Sequence, residues 1–308
     1  MTISLAEILS NLEQEYEVMG DQGISINGIS PATSPAPGTL VWLTTVPHLP
    51  TLLEQSPASL FMLPLPPPSQ PPAIPPGKAI VFVQDSRLAA ITILSRFFKQ
   101  RPGWGIHPSA TVHPEATIHP ETYIGPNSYV GKCTIGQGTI LYGNNYLYDG
   151  IRTGRHVIVH AGAVIGADGF GYHSGNDKEW LKFEHLGGVE IGNGVEIGAN
   201  TCIDRGTLGD TKIGDGTKID NLVHIAHNVT IGRHCLVIAH AMIGGSCTIG
   251  DHCWIAPHAG IHQKITIGTG VTIGLGAVVL EDVPAGETWA GVPAHRLHRK
   301  NNNPAESA

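Results

Sequence analysis

An aliphatic residue returns at every sixth position through most of this chain beyond residue 105. The slots are Ile106, Val112, Ile118, Ile124 and Val130. After a one-residue slip they resume at Ile135, Leu141 and Leu147, with Thr153 ahead of Val159 and Ile165. Ile191, Ile197 and Ile203 follow one interruption. After a second, twelve consecutive slots from Ile213 to Val279 hold Ile or Val. Neither a helix, at 3.6 residues per turn, nor a plain strand, at two, produces that spacing. A short extended run followed by a turn does, and three such sides close a triangle. Eighteen residues then make one coil, and stacked coils pair as parallel strands about 4.8 Å apart. The aliphatic slot points inward and packs on its equivalents above and below. Glycine often follows the slot, as at Gly192, Gly198, Gly214, Gly232, Gly244 and Gly250, which predicts a tight corner that wants no Cβ. Four residues after the slot a small side chain fills the interior, and Cys235, Cys247 and Cys253 read as such filler.

The first hundred residues lack this texture. "SLAEILSNLEQ" and Ser86 to Gln100 have helical apolar spacing. "GISINGIS", "GTLVWLT" and "AIVFVQ" read as strands, and the proline-rich stretch from Pro64 to Gly77 reads as a surface excursion. The expected organisation is a small α/β domain at 1–102 and a coiled, mainly β domain at 103–285 carrying an excursion at 168–188. A C-terminal extension at 286–308 follows, with "NNNPAESA" expected to be disordered. A net charge of −7 disfavours a polyanion-binding surface, so no nucleic acid is expected. Five cysteines without CxxC spacing build no disulfide framework. The opening residues lack a basic and then apolar leader, and no apolar run is long enough to span a bilayer. A cytoplasmic setting, with no transmembrane segment, is the expectation.

"DNLVHIAHNVTIG", Asp220 to Gly232, sets ionisable side chains inside the repeat. His227 and Gly245 differ by 18 residues and stack one coil apart on the same edge. Asp220 follows the slot of the preceding side and approaches His227 only across a corner. A carboxylate there would fix the imidazole tautomer and favour the imidazolium. A backbone N–H near Gly245 would receive a developing oxyanion. Single histidines on such coils are more often structural. His107, His113 and His119 follow slots at exposed corners, and His234 with His252 and His240 with His258 form columns that read as surface ladders.

The blocks "HAGAVIGADGFGY", "GVEIGANTCIDRGTL" and "IDNLVHIAHNVTIG", with the N-terminal order of elements, resemble the UDP-3-O-acylglucosamine N-acyltransferases of lipid A biosynthesis, within the hexapeptide-repeat acyltransferases. The resemblance implies a left-handed parallel β-helix and a homotrimer with active sites between neighbouring helices. It implies transfer of a (R)-3-hydroxyacyl chain from acyl carrier protein to the 2-amine of a UDP-sugar, UDP-3-O-acylglucosamine, with no cofactor and no metal. His227 would be the general base, Asp220 its orienting carboxylate and Gly245 the oxyanion site. Asn221 and His224 of the same block would meet substrate. His262 and Lys264 lie where the family carries a second histidine, with lysine at the matching position. Trp42 and His48 fall in the segment that stacks uracil, where Thr45 and His48 replace the commoner Asn and Tyr. The basic "HRLHRK", His295 to Lys300, is either a carrier-protein contact or a solvated tail. Three other readings stay open: a sugar acetyltransferase using acetyl-coenzyme A, suggested by "WAGVPAHR"; zinc held through His224 and His227; and a non-catalytic paralogue.

Overall fold

The computed structural model describes residues 2–46, 48–70 and 72–297. The chain divides into two units, Met1–Arg101 and Pro102–Ala308. No helix among the described residues is long and apolar enough to cross a membrane. The "NNNPAESA" segment and the end of "HRLHRK" lie outside the described residues.

The first unit is built on a five-stranded sheet. Its order is Tyr16–Gly20, Ala79–Val83, Leu60–Pro64, Thr39–Trp42 and Gly28–Ile29, parallel except for Tyr16–Gly20. Alternate residues of the central strands enter two cores. Leu60, Met62, Val81 and Val83 join Leu5, Ile8, Ala89 and Ile93 on one face. Phe61, Leu63, Ile80 and Phe82 join Leu49 and Leu53 on the other. Burial on both faces explains why these strands are nearly all apolar. The opening helix, Leu5–Leu9, has a capping box of Ser4 and Glu7. It is shorter than its apolar spacing predicts, because the side chains of Ser10 and Asn11 both donate to the Glu7 carbonyl and compete with helix continuation. The helix Ser86–Ile93, capped by Asp85, passes into a π turn at Leu94–Phe98 instead of running to Gln100.

The second unit is a three-sided parallel β-helix whose sheets contain 8, 11 and 9 strands. Successive slots pair 18 residues apart, as Ile219 with Val237, Ile225 with Ile243 and Ile231 with Ile249. Their side chains form one continuous core. Ile106 is 51% exposed because no strand of this unit's sheets lies beyond its own. Cys235, Cys247 and Cys253 are buried, and each thiol donates to a carbonyl of the next coil, Gly250, His262 and Gly268 respectively.

One expectation gains its physical cause and one needs correction. The glycines after the slots do want no Cβ, and they reach that need without left-handed backbone. A Cβ on Gly232 would stand 2.7 Å from the Asp251 nitrogen, and one on Gly250 2.6 Å from the Thr269 nitrogen. Close approach of the next coil demands glycine there. The left-handed residues come two positions later and are often not glycine: His234, Ser246 and His252 have φ of 53°, 60° and 57°. Residues after 285 also do not begin as a tail. Thr288–Ala290 pairs in parallel with Thr272–Ile273, and His295–Arg296 pairs antiparallel to it, because Trp289 buries itself beside Ile273.

Candidate active site

His227 lies at the corner after the strand His224–Ile225. Its ring is wedged between two glycines. A Cβ on Gly245, one coil on, would lie 2.8 Å from the ring's Cε1 and Nε2. A Cβ on Gly169, in the excursion, would lie 2.6 Å from its Cδ2. Either side chain would displace the imidazole. Asn228 Nδ2 donates to His227 Nδ1 at 3.1 Å. The orientation of that amide is set by Thr207, whose N–H gives to Oδ1 at 2.7 Å and whose Oγ1 accepts from Nδ2 at 2.8 Å. Nδ1 is thereby an acceptor, and the neutral ring keeps its proton on Nε2.

The ring faces a cleft of about 290 Å3 lined by Asp204, His224, His227, Gly245 and His262 among others. At comparable corners the second backbone N–H is taken by a side chain of the coil above: Asn193 by Asp215, Ala199 by Asn221 and Arg233 by Asp251. Among the described residues the N–H of Gly245 has no protein acceptor. Phe170, at the lip of this cleft, also lines an apolar groove of about 490 Å3 with Tyr172 and Trp180.

Burial governs the electrostatics. The His227 pKa is lowered by desolvation first, and then by the neighbouring His185 and His224. His224 is lowered by desolvation. Asp204 is pushed up to about 6, again by burial. His224 Nε2 and Asp204 Oδ2 are 3.7 Å apart.

The predicted residues do not all meet. Gly245, His224 and His262 join His227 at one cleft. Asp220 does not pair with His227 within the chain. Its carboxylate accepts the N–H groups of Asn221 and Ala239 and lines a separate cleft of about 510 Å3. The corner turns Asp220 toward the next coil instead of across to the imidazole. Asn221 shares that second cleft, beside Lys218 and the His160–Glu196 pair at 3.1 Å. Lys264 is an exposed corner residue in the column of Asn228, not of His227, and its N–H bonds the Gly245 carbonyl. In the first unit, Trp42 is half-buried against the core, while exposed His48 caps the helix Leu49–Gln55 and lines a different hollow with Thr51 and Gln55. The two do not form one stacking platform.

Three residues were not foreseen. His185 lies edge-on to His227 with ring centroids 5.3 Å apart. Asp204 and Asp168 complete the surroundings, Asp168 being ion-paired with Lys182. Each sits where the six-residue period breaks, and that break was the available signal.

The profile described as "Bacterial transferase hexapeptide (six repeats)" matches residues 210–245 and 246–281. The UDP-3-O-acylglucosamine N-acyltransferase of Paracidovorax citrulli is 37% identical over 198 residues, 63% of this chain and 57% of that protein. The protein of the same name from Marinomonas is 49% identical over 53 residues, 17% of this chain and 15% of its own length. The chain thus spans little more than half the length of the Paracidovorax citrulli relative. Among solved structures, LpxA from Acinetobacter baumannii superposes with a TM-score of 0.58 at 31% identity, covering 62% of this chain and 73% of that one. The UDP-N-acetylglucosamine O-acyltransferase (LpxA) of Moraxella catarrhalis does so with 0.58 at 29% over the same shares. The β-helix is left-handed, as in these neighbours.

Proposed function

We propose that this chain, whose repeats match the bacterial transferase hexapeptide profile and whose β-helix resembles that of LpxA, moves a (R)-3-hydroxyacyl chain from acyl carrier protein to the 2-amine of UDP-3-O-acylglucosamine, with His227 as general base. The observation that carries the reading is the His227 imidazole lying over Gly245 at the wall of an open cleft. The amine attacks the thioester carbonyl carbon and forms the C–N bond. The His227 imidazole takes the amine proton. The N–H of Gly245 receives the oxyanion. Collapse of the tetrahedral intermediate breaks the C–S bond, and the leaving thiolate takes the proton from the imidazolium. The sequence of steps calls for no cofactor and no metal.

The apolar groove at Phe170, Tyr172 and Trp180 supports an acyl substrate, since it joins the cleft through a shared residue. A homotrimer and docking of acyl carrier protein belong to the same proposal. Exposed Leu222, Trp254 and Leu275 on the β-helix offer apolar surface for self-association. The hollow beside His48 is the first unit's candidate contact for the uridine.

The test is mass-spectrometric acyl transfer to UDP-3-O-acylglucosamine from a panel of acyl carrier protein thioesters, with acetyl-coenzyme A in parallel. His227→Ala should lower kcat about 10²- to 10⁴-fold, the range of general base contributions, with the melting temperature retained. Full activity in that variant, or preference for acetyl-coenzyme A, rejects the reading.

A further inference from the structure

We propose that His185 is a positioning residue for the base: it and His227 form a coupled imidazole pair in which a proton on either ring opposes a proton on the other. The inference rests on the reading of His227 as the base, and deepens it by assigning the excursion a part in the chemistry.

His185 is only 4% exposed, and neither ring nitrogen has a hydrogen-bond partner among the described residues. Buried polar atoms are nearly always satisfied, so an imidazole orphaned on both sides calls for a reason. Packing alone is a poor one, because an apolar side chain would fill the same space at lower desolvation cost. The ring stands edge-on to His227, with centroids 5.3 Å apart and planes at 70°. Gly169 lies against both: a Cβ there would meet His227 Cδ2 at 2.6 Å and His185 Nε2 at 2.9 Å. The backbone of the excursion thus clamps the two rings into one unit.

The charged groups around His185 come from both the excursion and the coils. Asp168 and Asp204 are the carboxylates that feel its charge. Asp168 is itself ion-paired with Lys182 and influenced by Arg205. Asp204 has His224 at 3.7 Å. A proton on one ring repels a proton on the other across this edge-on contact. Two sites that interact this way lose their protons in two steps that belong to the pair. The consequence for the reaction is that His227 stays unprotonated, and able to accept, at lower pH than an isolated ring in the same cleft.

The experiment is nitrogen-15 histidine NMR on the full chain, wild type and His185→Gln, across pH 5 to 9, with kcat/KM pH profiles beside it. In the wild type, the His227 resonances should titrate in two steps that mirror those of His185. In the variant, His227 should titrate in one step shifted upward by about half a pH unit or more, as expected for removal of a nearby like charge. The acid limb of kcat/KM should move up with it. Single-step, independent titrations of the two rings in the wild type overturn the proposal, even if the variant fails to fold. So does a folded His185→Gln whose His227 titration overlays the wild type. The NMR readout needs no turnover, so absence of acyl transfer would reject the functional reading while leaving the pair to be judged on its own.

Discussion

The coils from Ile213 to Val279 and those from Ile165 to Ile213 share one cross-section and differ in everything else. In the first stretch every slot is Ile or Val and each coil takes 18 residues. In the second, Ile165 pairs with Ile203 and Ile191 with Ile213, distances of 38 and 22 residues, and a bulge shifts the register beside Asp204. The regular coils supply stacked aliphatic area and, at their corners, His224, His227, Asn228, Gly245 and His262. The irregular ones supply Asp168, Gly169, His185, Asp204 and Thr207 around that ring. The lesson is that in this fold the period sets the core and the stacking of the base, and the breaks in the period bring in the groups that surround it.

That contrast can be broken from either side. The largest effect is expected at Gly245→Val. Its branched side chain would occupy the volume of the imidazole, and acyl transfer should fall at least about 10²-fold, the scale set by misplacing a catalytic group. Steady-state kinetics and circular dichroism on the same sample check that activity is lost while the β-helix remains. The opposite outcome is expected at Ile243→Ala in the regular core. This should cost about 2–5 kcal/mol of stability through lost burial and a cavity, seen as a lower denaturation midpoint, with near-normal turnover at low temperature.

A smaller effect is expected at Asp204→Asn. Burial raises the folded carboxyl pKa from 3.8 to about 6. The folded state therefore holds this proton over a range where the unfolded chain has released it. Stability from this group is fully present below the unfolded value and is lost as pH rises through about 6. Removing the carboxylate should make the variant gain on the wild type between pH 4 and 7, by on the order of 1–3 kcal/mol, measured by chemical denaturation at both ends. A variant with the wild type's pH dependence would show that the carboxylate is solvated. Smallest of all is Glu115→Ala. Its partner Lys132, at 2.6 Å, is as exposed as it is, so the melting temperature should not move measurably.

The three-sided coil was legible because a six-residue period admits few other solutions, and the stacking of His227 over the Gly245 column followed from the 18-residue count. The count could not say how side chains lean at a corner. Asp220 turns to the Ala239 N–H of the next coil, and arithmetic along one edge carries no information about that choice. His185 was illegible for a different reason: it arrives from a segment outside the period, so nothing in its spacing ties it to His227. The glycines after the slots were legible as corners that want no Cβ, and the closeness of the next coil is the reason. Trp42 and His48 lie six residues apart but on a strand end and a helix cap, and only the fold separates them.

The ladder of parallel strands has one property that bears on how such a protein changes over time. When the chain leaves the prism after Ile165 and returns at Val189, the strands on either side still meet in register, Val189 against Ile151 and Ile203 against Ile165. The detour is therefore a closed side trip. Its length can change without shifting a rung, so the groove at Phe170 can be redrafted while Gly169 and His185 stay tied to the base.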